Sequence, residues 1–289
     1  MIPPSFQYHS PSTVSDAIAL LNQYGDEAKL LAGGHSLLPM MKLRFAEPEH
    51  LVDMNHIESL KGIREENGDI IIGAMTSENT LIASDLLKLK CPILPQGAKL
   101  IADPQVRNRG TIGGDIAHGD PGNDHPALML ALDAKFTLVG SKGSREVEAN
   151  DFFLGTYYTL IEADEVLTEI RIPASGAGTG MSYHKLKRKV GDFATAAAAA
   201  VIQMSGNTCQ SARIALTNLG PTALRANEAE SVLVGQVITP ALIELAALKA
   251  MEICDPAEDL RGNIEYKTHM GGEMTRRAIA EAVKNAGDY

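Results

Sequence analysis

Apolar and polar positions alternate along the chain in a way that predicts a mixed run of strands and helices. Phe6 to His9 reads as a short strand. Val14 to Leu21 has helical apolar spacing and follows Ser12 and Thr13, both good capping residues. Tyr24-Gly25 ends that helix. Lys29 to Ala32 is a short apolar strand running straight into Gly33-Gly34-His35-Ser36. Leu37 to Leu43 predicts a second helix and Leu51 to Met54 a third strand, so the opening reads as a small βαβ unit.

From about Ile57 the pattern changes. Ile63-Arg64 and Asp69 to Gly73 flank Asn67-Gly68, a strong hairpin turn. Ser77 to Lys88, Ile93 to Leu100 and Pro126 to Leu132 predict helices. Lys135 to Val139 pairs naturally with Glu146 to Glu148, and Glu165 to Pro173 alternates as a strand should. Asp103-Pro104 reads as a turn. Ala174 to Gly180 is small and glycine-rich, the best linker in the chain. Beyond it, Ala196 to Met204 and Ser211 to Leu219 surround the turn Ser205-Gly206-Asn207. Alanine propensity alone favours a helix for the first of these. The turn and the alternating partner favour a strand pair. Helices over Asn227 to Leu233, Pro240 to Ile253 and Tyr266 to Ala286 complete the chain.

Composition then narrows the function. The 289 residues suffice for two or three cores. A net charge of −10 argues against a nucleic-acid partner, which would want Lys and Arg. No apolar run reaches the roughly 20 residues of a membrane span, and no secretory signal is legible at the N-terminus. The three cysteines, Cys91, Cys209 and Cys254, are scattered, and no pair has CxxC spacing. They cannot build a four-ligand zinc or iron–sulfur site, and their sparse, odd count suits a reducing cytoplasm. Any redox centre must be a bound organic cofactor or lie on a partner.

Two glycine-rich stretches carry the candidate chemistry: Leu30 to Ser36 and Gly110 to Asp124. Glycine accepts positive φ, so successive N–H groups can converge on an anion, and the missing side chains let backbone approach a phosphate. Ser36 and Thr111 add hydroxyls, and a helix after the first stretch would aim free N–H groups at the same phosphate. Neither stretch matches GxGxxG or GxxxxGK[ST], which disfavours a Rossmann domain and a P-loop. Two nests suit a pyrophosphate gripped from both sides. Gly-Gly after a strand is equally the mark of an ordinary turn, and spacing alone does not identify flavin.

At these residues the sequence resembles the FAD-binding medium subunits of the molybdenum hydroxylases, the xanthine dehydrogenase family, and within it the carbon monoxide-oxidising branch. The likeness rests on Leu31-Ala32-Gly33-Gly34-His35-Ser36-Leu37-Leu38-Pro39-Met40-Met41-Lys42, on Ala102 to Asp115, and on Lys185-Leu186-Lys187-Arg188-Lys189-Val190-Gly191-Asp192-Phe193-Ala194, and it runs essentially end to end. It implies an α+β fold: a two-part FAD-binding domain of the vanillyl-alcohol oxidase type over 1–176, with subdomains of about 1–56 and 57–176, then a C-terminal domain over 177–289 with a small antiparallel sheet and helices. It implies FAD contacts from Ala32, Gly33, Gly34, His35 and Ser36 and from Thr111, Ile112, Gly113, Gly114 and Asp115 over the pyrophosphate. Asp124 would reach the ribose side, Leu167 and Lys185 would lie near the flavin, and Phe193 would sit beside the isoalloxazine where relatives carry Tyr, Trp or Phe.

The resemblance further implies partners: a large molybdopterin subunit holding the molybdenum cofactor and a small iron–sulfur subunit, assembled as a dimer of heterotrimers. Electrons would pass from the clusters to FAD and on to an external acceptor. The location would be cytoplasmic, at most peripheral at the inner membrane face. The absence of a nicotinamide fingerprint favours a quinone or other carrier as acceptor. Carbon monoxide, a purine or an aromatic heterocycle all fit as substrate. A stand-alone flavin oxidoreductase of the same fold is the alternative, and a structural subunit without flavin a third reading.

The remaining candidates have blander readings. His118 and His125, seven apart, lack the spacing of a helical metal pair, and His35 stands alone. The basic run Lys185 to Lys189 suits flavin or partner contact better than a bare solvated face. Tyr157 and Tyr158 read as core or interface, and Met40 and Met41 as packing residues. No Ser-His-Asp or Cys-His arrangement supports hydrolysis.

Overall fold

The computed structural model describes residues 2–287; Met1, Asp288 and Tyr289, at the ends of the expected domains, lie outside the described residues. The first sheet is parallel, in the spatial order Gln7–His9, His50–Asp53, Ala28–Leu31. Thr13 starts the helix Val14–Tyr24 by accepting the Asp16 N–H at 3.1 Å. That helix buries Ala17, Ile18 and Leu21 against Val52, Met54 and Ile57. The helix Leu37–Leu43 follows the first glycine stretch.

The second sheet has five antiparallel strands, ordered Ile63–Glu66, Asp69–Gly73, Val166–Ile172, Lys135–Gly140, Gly143–Glu148. Both expected hairpins are present in it. The expected helix from Ser77 to Lys88 is broken at Ser84, which caps a second helix through the Leu87 N–H. Asp103-Pro104 begins the short helix Pro104–Arg107, because Asp103 accepts the N–H groups of Gln105 at 2.8 Å and Val106 at 2.9 Å.

The third sheet is antiparallel, ordered Thr179–Leu186, Ala196–Ser205, Thr208–Thr217, Leu224–Arg225. Its first strand begins at Thr179, inside the segment Ala174 to Gly180 that the sequence predicts as a linker. The alanine run is a strand because both of its faces are buried. Ala197, Ala199 and Val201 join the core shared with Phe136 and Leu128. Ala196, Ala198, Ala200 and Ile202 pack with Ala278, Ile279 and Ala282 of the helix Ile264–Ala286. Small side chains let that helix come close. A Cβ at Gly180 would overlap the Ala282 carbonyl oxygen and the Ala286 nitrogen. Gly180→Ala is therefore expected to cost about 1–3 kcal/mol, read as a lower urea midpoint with an unchanged slope.

Candidate FAD site

The two glycine stretches meet across one cleft. The loop Ala32 to Ser36 leaves the first sheet where its strand Ala28–Leu31 ends. Thr111 to Asp115 faces it from the second body. A cavity of about 720 Å³ lies between them, within the usual size of a ligand site. Every residue the resemblance assigns to FAD lines it except Ile112. Ile112 is fully buried and its N–H donates to the Thr76 carbonyl at 3.1 Å, so it supports the cleft from behind.

The stretches differ in what their backbones offer. Among the described residues, the N–H groups of Gly33, Gly34, His35 and Ser36 make no hydrogen bond within the chain. They are donors awaiting an acceptor, and Gly34 holds the left-handed φ of +78° that turns the loop. The second stretch is the first turn of the helix Ile112–His118, where the sequence suggested a second loop. From Ile112 to Asp115 its amides are already engaged. Gly113 donates to the Ala74 carbonyl at 2.9 Å, and Gly114 to Thr111 Oγ at 3.2 Å. These glycines serve close approach instead. A Cβ at Gly113 would lie 2.6 Å from the Ala74 carbonyl oxygen, and one at Gly114 would lie 3.3 Å from Ala32 Cβ.

A buried polar network underlies the cleft. Lys185 Nζ lies 2.6 Å from Asp124 Oδ2, with both side chains almost fully buried. The Tyr183 hydroxyl donates to Asp124 Oδ1 at 2.6 Å and meets Thr217 Oγ at 3.1 Å. Asp124 and Lys185 thus neutralise each other at the cleft wall, rather than presenting one free charge each. His125 Nε2 lies 2.9 Å from Glu78 Oε2, also fully buried. Asn123 Nδ2 donates to the Asp115 carbonyl at 3.0 Å, while Asp115 Oδ1 is buried without a partner among the described residues. Glu78, Asn123 and Tyr183 carry no role in the sequence analysis, and His125, set aside there as a metal ligand, is the buried partner of Glu78. Of these, only Tyr183 carried a signal, sharing a strand face with Met181 and Lys185.

At the other end, Leu167 is buried beside a register slip between Leu167 and Glu169. Phe193 is 46% exposed at the mouth of the cleft. The rest of the basic run is spread out: Arg188 bonds Asp192 at 2.9 Å, and Lys189 is exposed. Tyr157 and Tyr158 are exposed by more than half, so neither is core. Tyr157 lines the cleft with a φ of +59°, its ring 4.9 Å from that of His118. His35 is exposed on the first loop. Met41 is fully buried.

Two titrating groups make the site sensitive to pH. Burial raises Asp115 to about 8. Burial opposes charge on His125 too, but the Glu78 carboxylate outweighs it and pushes His125 up to about 9. Both groups hold a proton more tightly folded than unfolded, so stability falls as pH rises. For His125 the stabilisation is complete below 6.5 and gone above about 9; for Asp115 the loss runs from 3.8 to about 8. The apo chain is expected to show a falling Tm from pH 6.5 to 9, with Asp115→Asn flattening the lower part of that slope.

Comparison with known proteins gives the family. A family profile described as the FAD binding domain in molybdopterin dehydrogenase matches residues 4–175, and the CO dehydrogenase flavoprotein C-terminal domain matches residues 181–282. The chain is 60% identical over 282 residues to the carbon monoxide dehydrogenase medium chain of Hydrogenophaga pseudoflava, covering 98% of both. It is 53% identical to that of Afipia carboxidovorans, covering 99% of both. The solved structure of the H. pseudoflava enzyme lacking the Mo-pyranopterin moiety superimposes with a TM-score of 0.97 at 61% identity, covering 99% of each chain. The chain belongs to the FAD-binding medium-chain family of the molybdopterin dehydrogenases, alongside the medium chains of carbon monoxide dehydrogenase.

Proposed function

We propose that this chain holds FAD in the cleft between its first two sheets and works as the electron-transferring subunit of a carbon monoxide dehydrogenase-like complex. The observation that carries the reading is the set of unengaged amides from Gly33 to Ser36, opposite Thr111 and Asp115 across one cavity. Four unengaged backbone donors on one glycine turn suit a diphosphate. The hydroxyl of Thr111 and the unpartnered carboxyl oxygen of Asp115 add polar contacts from the far wall. Asp124 and Lys185 would hold the ribose and flavin portions, with Leu167 and Phe193 giving apolar cover. When bound, FAD would supply the step between one-electron donors and a two-electron acceptor. The chain's part is to grip, orient and shield it.

The domain division follows from this reading. Residues 1–176 form the FAD domain, with subdomains of about 1–56 and 57–176 in the vanillyl-alcohol oxidase arrangement, and 177–289 form the C-terminal domain. Partners must supply the remaining centres, because Cys91 and Cys209 are buried and Cys254 stands apart. A large molybdopterin subunit and a small iron–sulfur subunit fit that need, in a dimer of heterotrimers in the cytoplasm. No helix among the described residues is long and apolar enough to cross a membrane.

The test uses the assembled complex. Gly33→Asp combined with Gly114→Asp is expected to abolish acceptor reduction while substrate still reduces the iron–sulfur centres. Unchanged flavin content in that variant would end the assignment of the cleft.

A further inference from the structure

Phe193 stands on an exposed loop whose neighbours give it an unusual anchorage. Asp192 is buried although Phe193 beside it is not. One Asp192 oxygen accepts Arg188 Nε at 2.9 Å. The other accepts Arg261 Nη2 at 2.9 Å and the Phe193 N–H at 2.9 Å. Arg261 comes from a distant loop and places its guanidinium carbon 5.8 Å from the Phe193 ring centre. It therefore meets this corner twice, once through the carboxylate and once through the aromatic face.

Arg261 is itself held. Its N–H donates to Asp259 Oδ1 at 2.7 Å. Asp259 is bound in turn by Lys267 Nζ at 2.9 Å, a lysine side chain only 1% exposed on the C-terminal helix. Lys267 also donates to the Ala257 carbonyl at 2.7 Å. A continuous chain of charge-assisted bonds thus runs from the long helix to the mouth of the cleft. Phe193 also packs beside Gly122, where an added Cβ would lie 3.4 Å from its ring.

We infer that Arg261 is a positioning residue that fixes the Phe193 ring at the mouth of the cleft, through Asp192 and through its own stacking on the ring. Asp192 alone fixes only backbone. The ring is nearly half exposed, and the Arg261 guanidinium lies over its face. The consequence for FAD rests on the reading proposed above: a fixed ring would cover the flavin end of the bound cofactor.

The chain contains no tryptophan, so Phe193→Trp introduces a single reporter whose emission needs no flavin. In the full-length chain, adding Arg261→Met to Phe193→Trp is expected to lower the tryptophan anisotropy and raise its quenching by acrylamide. Arg261→Lys should give intermediate values, because it restores the charge without the planar fork. Tm should move little, since Arg188 still pairs with Asp192. Unchanged anisotropy and quenching in Arg261→Met would overturn the inference. A second arm uses the assembled complex with native Phe193. There Arg261→Met should speed FAD release roughly 2- to 10-fold, the worth of one aromatic contact. The same substitution should add nothing in a Phe193→Ala background, and full acceleration there would mean that Arg261 acts by another route. A complex that holds no FAD at all would refute the cleft assignment and leave the tryptophan result to decide on Arg261.

Discussion

Gly33→Ala is expected to strip most of the FAD from the protein while leaving it folded. A methyl group at this position would overlap the Arg109 carbonyl oxygen and come within 2.8 Å of Gly110 Cα. Both neighbours are backbone, so no flexible side chain can give way. The loop Ala32 to Ser36 would have to withdraw from the wall formed by Arg109 and Gly110, taking its four free amides with it. Overpacking of this kind costs about 1–3 kcal/mol, and loss of aligned donors adds to it for the ligand alone. Affinity for FAD should fall roughly 10- to 100-fold. Flavin stoichiometry of the purified complex, followed by FAD titration, reads this directly. Gly155→Ala is the control, because its nearest neighbour, Tyr158 Cβ, is 3.9 Å away. Full flavin content in Gly33→Ala would contradict the close-approach account of the first glycine stretch.

Lys185→Met should be the most destabilising change at the site. It removes one partner of an ion pair whose side chains are 2% and 5% exposed, leaving Asp124 buried with only the Tyr183 hydroxyl as donor. Breaking such a pair from one side costs about 3–5 kcal/mol, because the remaining charge can be neither solvated nor balanced. Adding Asp124→Asn should recover part of that loss, since the amide carries no charge and its oxygen can still accept from Tyr183. Urea unfolding of the two single variants and the double variant gives the coupling energy. Additive losses would show that the two residues do not stabilise one another.

Much of the site was legible because its first half is local. Ala32 to Ser36 follows a strand and precedes a helix, and glycine at the turn is a backbone requirement visible in any window of a few residues. The second stretch looked alike on paper and behaves differently. Thr111 caps a helix there, so the amides that composition offers to a ligand are claimed by Ala74, Thr76 and Thr111 itself. Only the packing of Ala74 against Gly113 reveals that these glycines make room rather than donate. The pairing of Glu78 with His125 was silent for a related reason. The two stand 47 positions apart, and neither has a local pattern that marks it for burial.

The sequence by itself determined the parallel opening unit, the two hairpins of the second sheet, the C-terminal helices and the glycine turn between the strand Ala28–Leu31 and the helix Leu37–Leu43. Each of these is set by bonds between near neighbours or by a period along one segment. The turn at Ser205-Gly206-Asn207 already pointed to a strand for the alanine-rich segment, against its helical propensity, and the tertiary structure decided what covers its two faces. It also decided which acids and bases neutralise one another beneath the cleft. Those outcomes depend on which distant surfaces meet. A strand of small residues gains when both faces are covered, and a buried charge persists only where its counter-charge has been brought to it.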